Sequence, residues 1–228
     1  MAKVITFFLR APGLTRAAFR DHYERVHVPM GLAANPYFRF KKYVRNHVVA
    51  ARPGARALPM RELDAFSEFS FHDMSRAVDA QAFMRTPEGK ALAEDEPNFV
   101  DMTDHPSFSA QEELIAGTPR DLDRGVTAKT VLILKRAEAV QAAEAAERIR
   151  RFAQAYARDH AGEMLRLVLD IAEESPAGAP PVDAILTLWP SAQTTAATLA
   201  AFRWPGSDFA SAVLDIETIE EPPEKLAL

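Results

Sequence analysis

Three observations predict an α+β fold. Strand-like runs of β-branched and aromatic residues alternate with helical segments in the order β-α-β-β-α-β. That order occurs twice along the 228 residues. In each copy a proline-containing loop, Ala50–Leu63 and then Ser175–Pro181, separates the second strand from the third. A β-α-β-β-α-β unit is the split-βαβ, ferredoxin-like plan: a four-stranded antiparallel sheet with helices on one face. The other face must also be covered. Two tandem ferredoxin-like units can cover each other, giving an intrachain dimeric α+β barrel. The expected units are residues 1–117 and 126–228, with a linker near Gly117–Gly125.

Each element has a local reason. Lys3–Arg10 is a β-branched and aromatic run and reads as the first strand. Pro12 and Gly13 mark a turn, and Thr15 is a helix N-cap. Phe19, Tyr23, Val26 and Met30 recur at helical spacing. Pro29 disfavours helical geometry at Val28, so the helix is expected to end near His27. Tyr37–Val49 and Asp64–His72 read as the second and third strands. Ser75 caps a short helix through Met84, Pro87–Phe99 is helical, and Phe108–Ile115 is the fourth strand. In the second half, Lys129–Lys135, Met164–Ile171, Ala184–Trp189 and Val213–Ile219 read as strands. Ala137–His160 reads as a long helix, with Ile149, Phe152, Tyr156 and His160 along one stripe. Ala192–Phe202 reads as a shorter one. No sequence identity between the halves stands out.

Composition excludes some chemistry. The chain has no cysteine, hence no disulfide, thiolate nucleophile or cysteine-ligated cluster. It has no apolar run approaching the ~20 residues of a membrane span and no secretory leader pattern, so a cytoplasmic protein is expected. A formal charge of -5 without a basic tract argues against nucleic acid as partner. The segment up to Gly117 is neutral, with 15 basic and 15 acidic residues, and holds five of the six histidines. Chemistry is therefore expected in the first half.

Four constellations stand out there. Tyr23 and His27, four apart, share a helix face with Phe19. His27 suits proton transfer or, alternatively, ties down the helix end. On the second strand, Phe38, Phe40, Val44 and Val48 alternate with Tyr43, Arg45, His47 and Val49. The apolar face is expected against helices, and the polar face lines a wet cavity or meets solvent. Glu68 lies in a strand with Phe66, Phe69 and Phe71; if buried it needs a partner, for which Arg45 or His47 is available. Glu94, Asp95 and Glu96 form either a solvated face or a group with one member turned inward to orient a histidine. No phosphate loop, HExxH or G-x-S-x-G is present, and no metal site is expected.

Taken together, these residues resemble the EthD family of the dimeric α+β barrel superfamily, over roughly Val4–Glu113. The resemblance is carried by Arg10, Pro12–Thr15, Phe19, His22-Tyr23, His27-x-Pro29, and Tyr43 through His47. It continues with Asp64, Glu68, Phe71-x-Asp73, Glu94–Glu96, Phe99 and Asp101. The second half looks like a degenerate ferredoxin-like repeat that serves mainly as scaffold. The resemblance implies site candidates His27, Tyr43, His47, Glu68 and Asp95, with Tyr23 as a weaker member. Arg45, Phe66 and Phe99 are expected to line the substrate.

Four functions fit these residues. The first is a cofactor-independent lyase or isomerase acting on an aromatic or polyketide-like small molecule. His27 would be base or acid, Tyr43 an oxyanion donor, His47 a second proton carrier, and Glu68 or Asp95 an orienting group. The others are a cofactor-free monooxygenase, a haem protein ligated by a histidine, and a non-catalytic binder of an apolar molecule. A homodimer is an additional expectation.

Overall fold

The computed structural model describes residues 2–72, 82–119, 126–174 and 178–226. Eight antiparallel strands close one barrel: β1 (Ala2–Phe8), β2 (Phe40–Pro53), β3 (Ala65–Phe71), β4 (Ser107–Gly117), β5 (Val126–Arg136), β6 (Met164–Ala172), β7 (Ala184–Pro190) and β8 (Phe209–Glu220). The order round the barrel is β1-β3-β2-β8-β5-β7-β6-β4. Each half supplies four consecutive neighbours, and the halves meet along β2–β8 and β4–β6. Both seams contain a register shift, at Val48/Ala50 and at Leu114/Ala116. Bulges of this kind bend and twist strands enough to close a sheet on itself. Among the described residues, no helix is long and apolar enough to cross a membrane.

The first half departs from the sequence expectation at the helix. Helix α1 (Arg16–His22) starts where expected, with the Thr15 hydroxyl accepting from the Ala18 N–H at 3.1 Å. It does not stop at His27. A π-helical turn, Tyr23–His27, leads directly into α2 (Val28–Ala33), and α3 (Asn35–Phe38) follows. Pro29 has no N–H to donate, and its ring would clash with a carbonyl one α-turn back. The wider turn, closed by the Val28 N–H on the Tyr23 carbonyl, accommodates it. Helix α4 (Pro87–Asp95) completes this layer, its N-cap Thr86 accepting from Gly89. The helix expected to start at Ser75 lies largely outside the described residues, as does most of the expected linker.

The second strand is also corrected. Tyr37 and Phe38 are helical, and the strand begins at Phe40 and runs on to Pro53, through residues expected to be loop. A bulge between Phe40 and Lys42 places Phe40 on the same face as Tyr43. The polar face carrying Tyr43, Arg45 and His47 lies under the helices and is buried, while Val44 and Val48 turn into the barrel. Assigning the apolar face to the helices was therefore wrong. In a closed barrel both faces are covered, so polarity alone does not say which one meets the helices.

The second half carries α5 (Ala142–Asp159) and α6 (Ala196–Ala201), each starting several residues later than its helical pattern suggests. The short α7 (Pro223–Leu226) returns to the first half, where Leu226 packs with Phe8 and Tyr23. One clip recurs in both halves. Asp64 accepts from the Arg10 backbone N–H at 2.9 Å and from its guanidinium; Asp183 does the same for Arg136, with the N–H at 2.7 Å.

The lumen is divided. Ile5, Phe7, Phe66, Phe108, Ile133 and Ile185 fill one end. The other is ionic. Lys3, 3% exposed, has its Nζ 2.5 Å from Glu68, 3.0 Å from Glu112 and 2.9 Å from Asp170. Glu68 also accepts from Asn46 at 2.9 Å. Its expected pairing with Arg45 or His47 does not occur, because those side chains are on the other face of β2. Burial and the neighbouring Glu68 and Glu112 charges outweigh the attraction of Lys3 and push the Asp170 carboxyl up to about 7. A raised carboxyl pKa means that the native state holds a proton the unfolded chain has lost. Asp170 therefore lowers stability as pH rises from about 4 to about 7, and the loss is complete above that window. Asp170→Asn should remove this dependence. Urea midpoints from pH 5 to 8 should show the variant gaining on the parent as pH rises, and a constant difference would refute the assignment.

Candidate active site

A cavity of about 260 Å³ lies outside the barrel, between the first half's strands and its helices. Phe8, Phe38, Phe40, Phe69 and Phe71 form its apolar walls, and Leu92 of α4 contributes to one side. Its polar groups are His27, Tyr23, Tyr43, Glu96, His105, Thr6 and Ser107. Among the described residues, no lysine or arginine lines it.

The π-turn brings Tyr23 and His27 onto this cavity together. His27 Nδ1 is 3.1 Å from Asp95 Oδ2, and His22 Nε2 is 2.8 Å from Asp95 Oδ1. Asp95 thus bridges two imidazoles from the last turn of α4. Burial pushes its carboxyl up, but hydrogen bonds from His22, His27 and Asn98 outweigh that and hold it below the usual range. Burial also pushes the His27 imidazole down; the Asp95 hydrogen bond and charge oppose this without reversing it. The two shifts agree on one state near neutrality: ionised Asp95 accepting Nδ1–H of neutral His27. The free lone pair is then on Nε2, which has no partner among the described residues in a ring that lines the cavity. Asp95→Asn should lower the His27 pKa further, since it removes the group that raises it. A proton-NMR titration of the imidazoles checks this, and an unchanged His27 titration would refute the coupling.

The phenols stand beside this pair. Tyr23 OH is 2.6 Å from Ser67 Oγ and 3.3 Å from Tyr43 OH. Burial pushes Tyr23 up to about 12 and Tyr43 well above the ordinary tyrosine value, so both remain protonated donors. Tyr43 is stacked on Phe69 at 4.9 Å, and the Arg45 guanidinium lies 4.9 Å from the Tyr43 ring centroid. Phe99 holds the histidines in place: His22 and Tyr23 stack on it at 5.0 and 5.4 Å, and His27 tilts against it at 4.8 Å.

His27, Tyr23 and Tyr43 therefore converge on the cavity, with Asp95 directly behind His27. Phe99 supports the site from the core without lining the cavity. Arg45 and His47 adjoin the tyrosines but do not line the cavity. Both contact Glu24, Arg45 through Nε at 2.9 Å and His47 through Nε2 at 2.6 Å. Arg45 also reaches Glu221 at 2.9 Å. Burial raises the Glu24 carboxyl, but its His47 and Arg45 donors bring it below the ordinary value. Phe66 and Glu68 face the lumen, on the opposite side of the sheet.

Sequence reasoning missed His22, Glu24, Glu96 and His105 as members of this region. Glu96 lines the cavity, and burial followed by the Asp95 charge raises its carboxyl. His105 packs on Phe8 at 5.0 Å; burial and then the His27 charge lower it. A repeat was also present in the sequence. Phe19-x3-Tyr23-x-Arg25-x-His27 recurs as Phe152-x3-Tyr156-x-Arg158-x-His160. In the second copy Tyr156 OH donates to the Thr198 carbonyl at 2.8 Å, and Tyr156 packs with Phe202 and Trp204 in that half's hydrophobic core. Among the described residues, no group of three His, Asp or Glu is arranged to hold a metal ion.

Residues 11–103 match the family model for the EthD domain. A solved EthD family protein from Bacillus halodurans is 21% identical, with TM-score 0.29, covering 49% of this chain and 97% of that one. A solved anthrone oxidase-like protein is 9% identical, with TM-score 0.49, covering 96% of this chain and 92% of that one. A mutant chlorite dismutase from Candidatus Nitrospira defluvii is 12% identical, with TM-score 0.44, covering 99% and 93%. No curated protein sequence matches. His27, Asp95 and both phenols lie inside residues 11–103, the stretch of the first half that matches the EthD domain.

Proposed function

We propose that this protein is a cofactor-independent acid–base enzyme of the lyase or isomerase type, acting on a flat, uncharged aromatic or polyketide-like molecule. One observation carries the reading. His27 is fixed through Nδ1 by a carboxylate and lines an aromatic cavity beside a protonated tyrosine. Nε2 takes a proton from a carbon next to a carbonyl, or from a phenol. Asp95 stabilises the imidazolium that results. Tyr43 O–H donates to the oxygen on which negative charge develops. Glu96, whose carboxyl burial and the Asp95 charge raise, stands on the same cavity wall. The absence of lysine and arginine from the described lining favours an uncharged substrate. The volume, just under the ~300 Å³ lower end for small-molecule pockets, limits its size.

The same reading assigns residues 1–117 as the unit that carries the site and 126–228 as a second ferredoxin-like unit, mainly scaffold. Two features support a tandem origin: the fourth-first-third-second strand order of each half and the repeated Arg–Asp clip. A cytoplasmic location and a homodimer of such barrels belong to the proposal too.

Solvent exchange tests the chemistry. Hydroxyaryl ketones incubated with the protein in deuterium oxide should gain deuterium next to the carbonyl, and Tyr43→Phe should slow that gain about 10-fold or more. Substrate-dependent oxygen consumption would instead indicate the monooxygenase. A Soret band on haem addition would indicate the haem protein. Binding of such ketones without exchange would leave only a carrier.

A further inference from the structure

The outer cavity holds a second imidazole that the acid–base chemistry does not use. His105 stands in the loop that leads into β4, and its ring lines the cavity. Its Nε2 is sealed from solvent and has no hydrogen-bond partner among the described residues. Native structures leave few buried polar atoms in that state. The other imidazoles of the region are occupied: His27 and His22 on Asp95, and His47 on Glu24. His105 has no such carboxylate, and burial followed by the His27 charge lowers it, so it is neutral near neutrality.

Two hydroxyls share its side of the cavity. Thr6 on β1 and Ser107 on β4 both line it, with their oxygens 2.8 Å apart. That bond uses one of the two O–H groups and leaves the other to donate. The strand order β4-β1-β3-β2 separates this group from the phenol on β2. Tyr43 is at one edge, and Thr6 and Ser107 are at the other. β1 and β2 are two strand spacings apart, about 10 Å. Phe69 and Phe71 of β3 form the apolar floor between them. A flat substrate whose carbonyl meets Tyr43 and His27 therefore lays its far end toward His105. A carbonyl there would suit only one tautomer of a neutral imidazole. A hydroxyl both donates and accepts, so it suits either.

We propose that His105 is a substrate-binding residue, and that it selects a ring carrying a hydroxyl at the end remote from the reacting carbonyl. This rests on the outer cavity being the substrate site, and it adds an anchor to that site without a part in the proton transfer.

The probe is para-hydroxyacetophenone, and acetophenone is its counterpart without the hydroxyl. By calorimetry the parent protein should bind the hydroxylated ketone about 10-fold more tightly or better. His105→Phe keeps a ring against Phe8 and removes Nε2. It should weaken the hydroxylated ketone alone and bring the two affinities within about 2-fold. Tyr43→Phe should weaken both, because it acts on the carbonyl they share. Equal affinities in the parent would overturn the proposal, as would a His105→Phe protein that weakens both ketones alike or neither. Deuterium gain separates this anchor from the chemistry. Exchange without preference strikes the anchor alone, preference without exchange strikes the chemistry and upholds the anchor, and binding of neither ketone overturns both. If circular dichroism shows His105→Phe unfolded, imidazole nitrogen NMR on the parent decides. The His105 Nε2 resonance should move with para-hydroxyacetophenone and not with acetophenone, and a resonance that ignores both would overturn the proposal.

Discussion

Replacing His27 with alanine is expected to lower turnover by about 10²–10⁴-fold, the range that a positioned general base supplies, while the protein stays folded. The ring is held by Asp95 and by Phe99. Removing it trims a cavity wall instead of opening a sealed core, because His27 already faces open volume. The pH profile gives a second check. Burial places the His27 pKa below its ordinary 6.5, so Nε2 is free to accept a proton throughout the neutral range. Turnover should fall only in acid, along a single limb below 6.5. It should then stay level until the tyrosines ionise, which burial delays beyond their usual range. A His27→Ala protein with parental turnover, or a parent whose acid limb lies above 6.5, would remove the base from the mechanism. An unfolded variant would make His27 a structural histidine.

Lys3→Met is expected to cost about 3–5 kcal/mol of stability, the range for removing one partner of a buried ion pair. The lysine is buried and stands within 3.0 Å of three carboxylates. Without it, Asp170 loses the cation it faces inside the lumen, and Glu68 keeps only the Asn46 donor and the charges of Lys129 and Lys42. Glu112, 38% exposed, can turn to solvent. The loss should shrink in acid, where the stranded carboxyls take up protons. It should also be partly recovered by adding Glu68→Gln, because the two sites share one network. Urea unfolding at pH 5 and pH 8 measures both effects. A cost below about 1 kcal/mol at pH 8 would mean that Lys3 acts as an exposed pair does, and that the lumen is wetter than its packing indicates.

Much of the fold was legible because it rests on local periodicity. Seven of the eight strands lie within a few residues of their expected bounds, since β-branched and aromatic alternation marks them directly. β2 is the exception. Tyr37 and Phe38 carry the aromatic signal of a strand, yet Pro36 at the start of α3 and the left-handed Arg39 at its end make them helical. His27 and Asp95 were each named as candidates from their own neighbourhoods. Their hydrogen bond was not legible, because 68 residues separate them and only the seating of α4 beside the π-turn joins them.

Glu24 shows the limit from another direction. It follows Tyr23 in a charged helical stretch and carries no signal of burial, yet it neutralises Arg45 and contacts His47 beneath the helices. Phe66 and Glu68 show why face assignments are hard in a closed barrel. Alternation separates the two sides of a strand but does not say which is the lumen. A single bulge at Phe40/Lys42 then shifts the register by one residue and moves every following side chain to the other face.

By itself, the sequence determined the doubled β-α-β-β-α-β order, the absence of thiol chemistry, and the concentration of histidines and phenols before Gly117. It also contained the EthD pattern. Those properties follow from composition and from contacts within one or two turns of chain. Tertiary structure alone decided that the halves close one barrel, that His27 and not His47 opens onto the cavity, and that Glu68 belongs to the lumen. Each depends on a register or a closure spanning dozens of residues, where one bulge or one proline-widened turn sets the direction in which a side chain points.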